Sequence, residues 1–476
     1  MPEAIIRVQQ KLFPYERRFL ECEIQVLGGQ LLEQNGNSWR VGCRAPASLR
    51  LLTYADAIDV RGRTVTSVQA DREATRPRQS TRYGPHGLHD YRGKFNPQMP
   101  RSLMVQSGIK KGSNVLDPFC GSGTTLVEAA LLGARATGIE LNPIAAMIAR
   151  GKAAWLGRGS VADVSQLRLS AKWDFEPVEA RYLEDWFPAE IFQELRKLRA
   201  FVESQPEPGR SILRVVLSNQ LRNHSLQDPA DLRIRRRPTV SAGASLMRAF
   251  LAAAQSTLEH RREWQKTHGA LAKGRIHVVE ADSRIAVAQE KSDLVVTSPP
   301  YATALPYVDT YRLSGVALGL FPPTEILRRE RQLIGARDVT KRELADLPLA
   351  AMKLPTECRA LVERLAEALG NDSEAGFRKR AVPAALARYL ELMSEVLANL
   401  VDATKSGAIH SWVVGPNQTT LNGQKFQIDT PALLAELADA AGYKEIEVLP
   451  VDAYQRFHMH SRNSIRLESI VRFAAP

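Results

Sequence analysis

The run Thr297-Ser298-Pro299-Pro300-Tyr301 combines groups suited to handling an amine. Ser298 Oγ and the Pro299 carbonyl are two hydrogen-bond acceptors, and the two prolines restrict φ, so the loop is stiff and its carbonyls are prepositioned. An amino group conjugated with an aromatic ring is a poor nucleophile because its lone pair is delocalised. Two acceptors on its hydrogens favour pyramidalisation and return electron density to nitrogen. Tyr301 adds an aromatic face on which a ring can stack, a contact worth ~1–3 kcal/mol. These four residues, Ser298, Pro299, Pro300 and Tyr301, are the candidate catalytic set.

A second run, Val115-Leu116-Asp117-Pro118-Phe119-Cys120-Gly121-Ser122-Gly123-Thr124-Thr125-Leu126-Val127-Glu128, places glycines between an apolar strand and a helix. Glycine allows positive φ and close approach of a ligand to the backbone. The helix start offers unpaired N–H groups and a positive dipole end, which suit a carboxylate as well as a phosphate. Glu140 ends the next strand, where a carboxylate can accept from both hydroxyls of a ribose. Asp282 follows a third strand and can accept from an adenine amino group. A dinucleotide fingerprint, G-x-G-x-x-G, would need glycine where Leu126 stands, and no Gly-Lys-Ser/Thr follows for a Walker loop.

Both runs need a frame that brings them together. Ser113–Asp117, Ala134–Glu140, Arg275–Glu280 and Asp293–Thr297 read as short buried strands, and Thr124–Leu132 reads as a helix. This alternation predicts an α/β fold with a doubly wound, mostly parallel sheet, whose ligands bind outside the carboxyl ends of the strands. Three more strands, Ala408–Val414, Glu445–Leu449 and Ile465–Phe473, would complete the sheet. Residues 1–78 read as a small N-terminal α+β domain: a helix over Tyr15–Leu27, then strand-like runs at Ser38–Val41, Ser48–Leu52, Ala57–Val60 and Thr64–Val68. The polar stretch Asp71–Arg82 reads as a linker. The core would then occupy 79–150 and 272–476, the latter with a helical region at 302–404. Connections in α/β units rarely exceed a few residues beyond the helix, so 151–271 reads as a helical insertion.

The composition, 44% hydrophobic and 24% charged, fits an ordinary globular protein rather than a disordered one. No apolar run approaches the ~20 residues of a membrane span, and the N-terminus lacks the apolar core of a signal peptide, so a cytoplasmic location is expected. Cys22, Cys43, Cys120 and Cys358 fit neither a disulfide framework nor a CxxC metal site, and no structural metal is expected. A net charge of +12 favours a polyanionic partner.

Together the two runs resemble the DNA amino-methyltransferase family, the cytosine-N4 and adenine-N6 enzymes: VLDPFCGSGTTLVEA is similar to its cofactor motif and TSPPY to its catalytic motif. The resemblance implies a class I methyltransferase fold and S-adenosylmethionine as cofactor. Asp117, Phe119, Cys120, Gly121, Gly123, Thr124, Glu140, Asn142 and Asp282 would bind it. Tyr91-Arg92-Gly93-Lys94-Phe95-Asn96-Pro97 is similar to the family segment over the methionine end, so Lys94 and Phe95 would join them. Family members with Ser at the first catalytic position are mostly cytosine-N4 enzymes, whereas adenine-N6 enzymes usually carry Asp. Cytosine C5 methylation would instead need a cysteine nucleophile, usually in a Pro-Cys pair, and the chain has no such pair. A tRNA guanine-N2 enzyme and a catalytically idle nucleic-acid-binding subunit are the competing readings.

Double-stranded DNA is the expected partner, with base flipping to bring the target out of the stack. Arg222, Arg233, Arg235, Arg236 and Arg237, within the insertion, are the candidate phosphate or guanine contacts. A second basic cluster, Arg328-Arg329-Glu330-Arg331, reads more simply as a solvated helix face. Tyr307 and Asp309 can line the base pocket or start a helix, and His458 and His460 read as ordinary histidines. Any cleavage partner, a restriction endonuclease or defence-system subunit, would be a separate chain.

Overall fold

The computed structural model describes all residues except 1, 10–11, 68–80, 162–163, 165–170, 230, 232–233, 242, 273, 286–289, 303–305, 371–375 and 453–466. Two sheets organise the chain. The first joins β1 (Glu3–Val8), β2 (Gly29–Asn35), β3 (Ser38–Cys43), β4 (Ala55–Val60) and β5 (Arg63–Thr66) in the order β2-β3-β1-β4-β5. In β1 every second residue is buried, the alternation of an antiparallel sheet with one covered face. The helix Pro14–Val26 covers it, with Leu20 and Ile24 buried beside Ile6, Trp39 and Val41. The expected strand at Ser48–Leu52 is instead a 3-10 turn, Pro46–Leu51, opened by a proline in its first turn. The Asp71–Arg82 linker lies outside the described residues up to 80.

The second sheet holds β6 (Asn114–Asp117), β7 (Arg135–Ile139), β8 (Ile276–Val279), β9 (Ser292–Thr297), β10 (Thr404–Val414), β13 (Lys444–Asp452) and β14 (Leu467–Ala474). Between β10 and β13 a hairpin of β11 (Asn417–Leu421) and β12 (Gln424–Ile428) stands apart. The order is β13-β14-β10-β9-β6-β7-β8, with β14 antiparallel to both its neighbours. Strands β10, β9, β6, β7 and β8 run parallel, and β6 and β9 are adjacent at the centre. Sequence order reverses there: β7 and β8 lie on one side of β6, β9 and β10 on the other. A reversal of this kind opens a crevice at the carboxyl ends of the two central strands. Both candidate loops leave the sheet at that crevice.

The helices Pro177–Trp186, Ala189–Ser204, Gly209–Leu221 and Leu246–His268 occupy the long connection between β7 and β8. They pack on the core helix Pro143–Leu156 and bury Leu195, Leu213, Val216 and Phe250 in one cluster with Ile144 and Ile148. The same cluster takes in Val308, Leu313 and Phe321 from beyond the catalytic loop. The insertion is therefore welded to the catalytic side of the molecule by apolar contact, the strongest of the forces available. On the other face of the sheet, the helices Thr356–Gly370, Val382–Ala403 and Thr430–Ala440 pack against β10 and β14. No helix among the described residues is long and apolar enough to cross a membrane.

Candidate active site

The site is built from two strand ends. Asp117 closes β6, is 2% exposed, and accepts hydrogen bonds from Thr297 Oγ1 at 2.6 Å and the Phe119 N–H at 3.1 Å. Thr297 closes β9 and immediately precedes Ser298, so one side-chain bond ties the glycine loop to the proline loop. Burial pushes the Asp117 carboxyl up to about 6, against the pull of its donors. The glycine loop is held from the far side as well. Gly121 N–H donates to Glu140 Oε2 at 2.8 Å, and Asn142 N–H donates to Glu140 Oε1 at 2.7 Å. Burial raises the Glu140 carboxyl to about 7, opposed by these two donors.

Two glycines have backbone reasons to be there. Gly121 and Gly123 adopt φ of 50° and 77°, and a Cβ on Gly123 would meet the Ala149 Cβ at 2.9 Å. A Cβ on Gly121 would meet nothing closer than the Tyr91 ring at 3.9 Å, so the space above this backbone is open. Asn142 Oδ1 accepts from the Ile144 N–H and caps the helix Pro143–Leu156, with Pro143 at its first position.

One cleft takes its lining from both loops. Phe119, Gly121, Glu140, Asn142 and Asp282 line it together with Ser298, Pro299, Pro300 and Tyr301. Tyr91, Gly93, Ser283, Tyr307, Leu333 and Ile334 complete the wall. Of these, Tyr307 was expected to line the base pocket, and Tyr91 and Gly93 belong to the segment expected over the methionine end. The Tyr301 hydroxyl donates to Glu468 Oε1 of β14 at 3.0 Å, which fixes the ring edge. Glu330 accepts from the N–H groups of Val308 and Asp309 at 2.8 and 3.0 Å and so holds the turn that carries Tyr307. Tyr311 stacks on Tyr91 at 5.2 Å, accepts from the Arg92 N–H and donates to the Asp90 carbonyl, clamping the segment 90–93 over the cleft.

Several expected contacts fall elsewhere. Lys94 Nζ donates to the carbonyls of Thr81 and His86 and closes its own segment, and Phe95 packs on the hydrophobic cluster around Met99 and Leu103. Neither lines the cleft. Cys120 and Thr124 are buried beneath the loop, with Cys120 against Gly138, where a Cβ would sit 2.6 Å from its sulfur. Asp282 lines the cleft but is not a bare acceptor: Arg284 grips it through Nε and Nη2, the latter at 2.6 Å, and holds its carboxyl below the ordinary range against burial.

The arginine cluster divides in the same way. Arg222 donates to the carbonyls of Asp228 and Asp231, and Arg237 to those of Asn223 and Ser225, so both shape their own loop rather than facing outward. Arg235 and Arg236 are exposed, and Arg236 lies over the Trp186 ring at 5.8 Å with Arg312 over the same ring at 4.5 Å. Arg233, His458 and His460 lie outside the described residues. In the second cluster, Arg328 and Arg329 pair with Glu325, and Glu330 is turned inward to its backbone donors. Asp309 pairs with Arg312 at 3.5 Å.

A family model described as DNA methylase matches residues 33–150. The type II methyltransferase M.MjaII of Methanocaldococcus jannaschii is 40% identical over 67 residues, 14% of this chain and 12% of that one. A tRNA (guanine(10)-N2)-dimethyltransferase of Methanothermobacter thermautotrophicus is 42% identical over 52 residues, 11% of this chain and 16% of that one. The matches thus span less than a fifth of these relatives' lengths. Among solved structures, an rRNA methyltransferase from Streptomyces viridochromogenes is 12% identical with a TM-score of 0.30, covering 82% of this chain and 89% of that one. With an overlap that low, the fold rests on the strand order and the reversal at β6 and β9. These findings show a likeness to DNA methylases over residues 33–150, the part that carries the glycine loop, and the strand order gives a doubly wound, mostly parallel sheet.

Proposed function

We propose that this chain is an S-adenosylmethionine-dependent methyltransferase that acts on duplex DNA and methylates an exocyclic amino group, with cytosine N4 as the favoured target. The observation that carries the reading is that Gly121 and Ser298 line one cleft, joined at their base by the Thr297–Asp117 hydrogen bond. The residues fit the cofactor: open backbone at Gly121, a carboxylate at Glu140 beside it, and Asp282 and Ser283 farther along the same wall. When bound, S-adenosylmethionine supplies a methyl group on a sulfonium centre. Glu140 would accept from the ribose with the lone pairs its two backbone donors leave, and Phe119 would give an apolar wall.

Ser298 Oγ and the Pro299 carbonyl would accept the two amino hydrogens and orient the nitrogen lone pair toward the methyl carbon. Tyr301, its hydroxyl anchored on Glu468, would hold the base by stacking. The chain's part is thus alignment and electrostatic preorganisation, with no covalent intermediate on the protein. Exposed Arg235 and Arg236, on a loop bound to the segment 90–93 through Arg92 and Pro229, supply phosphate contacts near the cleft mouth.

Serine at position 298 favours cytosine over adenine by family resemblance. The match to a tRNA guanine-N2 enzyme supports a second reading, in which the same cleft takes a guanine of tRNA. Transfer of tritiated methyl groups to duplex DNA and to bulk tRNA separates them. Label in DNA is expected; label in tRNA alone refutes the DNA reading, and label in neither points to an idle binding subunit.

A further inference from the structure

Lys152 is a buried cation without a counter-charge. It sits in the helix Pro143–Leu156 with 0% of its surface exposed, and its Nζ donates to Ser122 Oγ of the glycine loop at 3.1 Å. An ammonium has three donors, and among the described residues no carboxylate lies within 4.0 Å of this one. Glu128, an acid on the neighbouring helix, is taken by His86, Arg101 and Tyr83. Burying an unpaired charge is costly, and an apolar residue of similar length would be the cheaper filling for a purely structural position. The position makes sense if an anion arrives at the loop.

We propose that Lys152 is the counter-charge for the carboxylate end of S-adenosylmethionine, a positioning residue that acts through Ser122. This rests on the cofactor assignment above. Burial pulls the ammonium down to about 7. The groups facing it cannot take over its role. From the covering segment come His86, held down to about 4, His89, held down to about 3, and Lys94, which is spent on two carbonyls. Glu128 keeps its charge for its own partners, and burial holds the Cys120 thiol protonated. In the free protein Lys152 is then partly neutral near pH 7, and arrival of a carboxylate draws protons from the buffer onto the neutral fraction, approaching one per chain at higher pH. Glu140 titrates in the same range, but its contact is to the ribose.

That difference defines the test. S-Adenosylhomocysteine and 5′-methylthioadenosine share adenine, ribose and thioether, and only the first carries the amino-acid carboxylate. Calorimetric titration of the full chain with each ligand, native and Lys152→Met, reads the carboxylate contribution and cancels Glu140. The variant is expected to lose about 10-fold or more in affinity for S-adenosylhomocysteine while 5′-methylthioadenosine stays within about twofold. Native protein at about pH 8 should take up protons on binding the first ligand, and the variant should not. Ser122→Ala should show the same selectivity in smaller measure. Equal weakening of both ligands, no weakening of either, or unchanged proton uptake in Lys152→Met overturns the proposal. Failure of the native chain to bind S-adenosylhomocysteine would instead overturn the cofactor assignment, and the proposal with it.

Discussion

Thr297→Val removes one hydroxyl at nearly constant volume and leaves the rest of β9 in place. The hydroxyl donates to the ionised form of buried Asp117, a hydrogen bond to a charged group worth ~1.5–3 kcal/mol. Asp117 already titrates near 6 in the fold against 3.8 when free, so folding favours its protonated form. The sign follows from that: stability from this group is fullest below pH 3.8 and is lost as pH rises through 6, by about 3 kcal/mol in all. Without Thr297 Oγ1 the carboxylate loses a donor that lowers its pKa, which should climb further. The variant should therefore lose ~1.5–3 kcal/mol relative to the native chain at about pH 8, and less than ~1 kcal/mol at about pH 5, where Asp117 is largely protonated in both. Urea unfolding followed by tryptophan fluorescence reads it, since Trp412 is buried and pairs with Thr297 across β9 and β10. An equal loss at both pH values would mean that the valine disturbs packing alone. No loss at either would mean that this bond does not join the two loops.

Other outcomes follow from the same geometry. Ser298→Ala should lower turnover by ~10²–10³ while S-adenosylhomocysteine affinity changes little, since the proposed role puts its acceptor on the reacting nitrogen; equal loss of cofactor binding would assign it another role. Gly123→Ala forces a Cβ to 2.9 Å from Ala149 at φ 77°, and a thermal melt should show a loss of at least ~1–3 kcal/mol. Replacing Arg235 and Arg236 by glutamine should weaken DNA binding and flatten its salt slope by up to about two. Arg237→Gln should lower stability instead, since its guanidinium bonds the Asn223 and Ser225 carbonyls; a salt slope unmoved by the first pair would remove them from the phosphate contacts.

The parts of this fold that were legible in the sequence are those whose information is local. Asn114–Asp117, Arg135–Ile139 and Ser292–Thr297 are short apolar runs bounded by turn residues, and they form the central strands. Glycine and proline marked both loops because backbone requirements are read from residue type alone. The hairpin at β11 and β12 also has a local sign, Asn422-Gly423 with φ of 45° and 72°. In β1 the alternation of Ala4, Ile6 and Val8 was equally available. What local pattern does not carry is pairing at a distance. Leu333 and Ile334 line the cleft just past the helix Ile326–Gln332, whose Glu330 bonds the turn after the catalytic loop. Lys94 was expected at the ligand because its segment resembles the family's, and a resemblance does not reveal the two carbonyls that consume its charge. For the same reason Arg222 and Arg237 read as phosphate contacts: a run of arginines does not reveal which of them its own loop needs. Lys152 gave no signal at all, since a lysine in a helix is ordinarily a surface residue.

The central claim is that an amino nitrogen of a DNA base meets a methyl donor between Gly121 and Ser298. Incubating the full chain with duplex DNA and S-adenosylmethionine, then digesting to nucleosides for mass spectrometry, names the modified atom. The account predicts N4-methyldeoxycytidine, absent when Ser298→Ala replaces the native chain. A methyl group on cytosine C5, or DNA that stays unmodified while tRNA guanine gains the label, would contradict it.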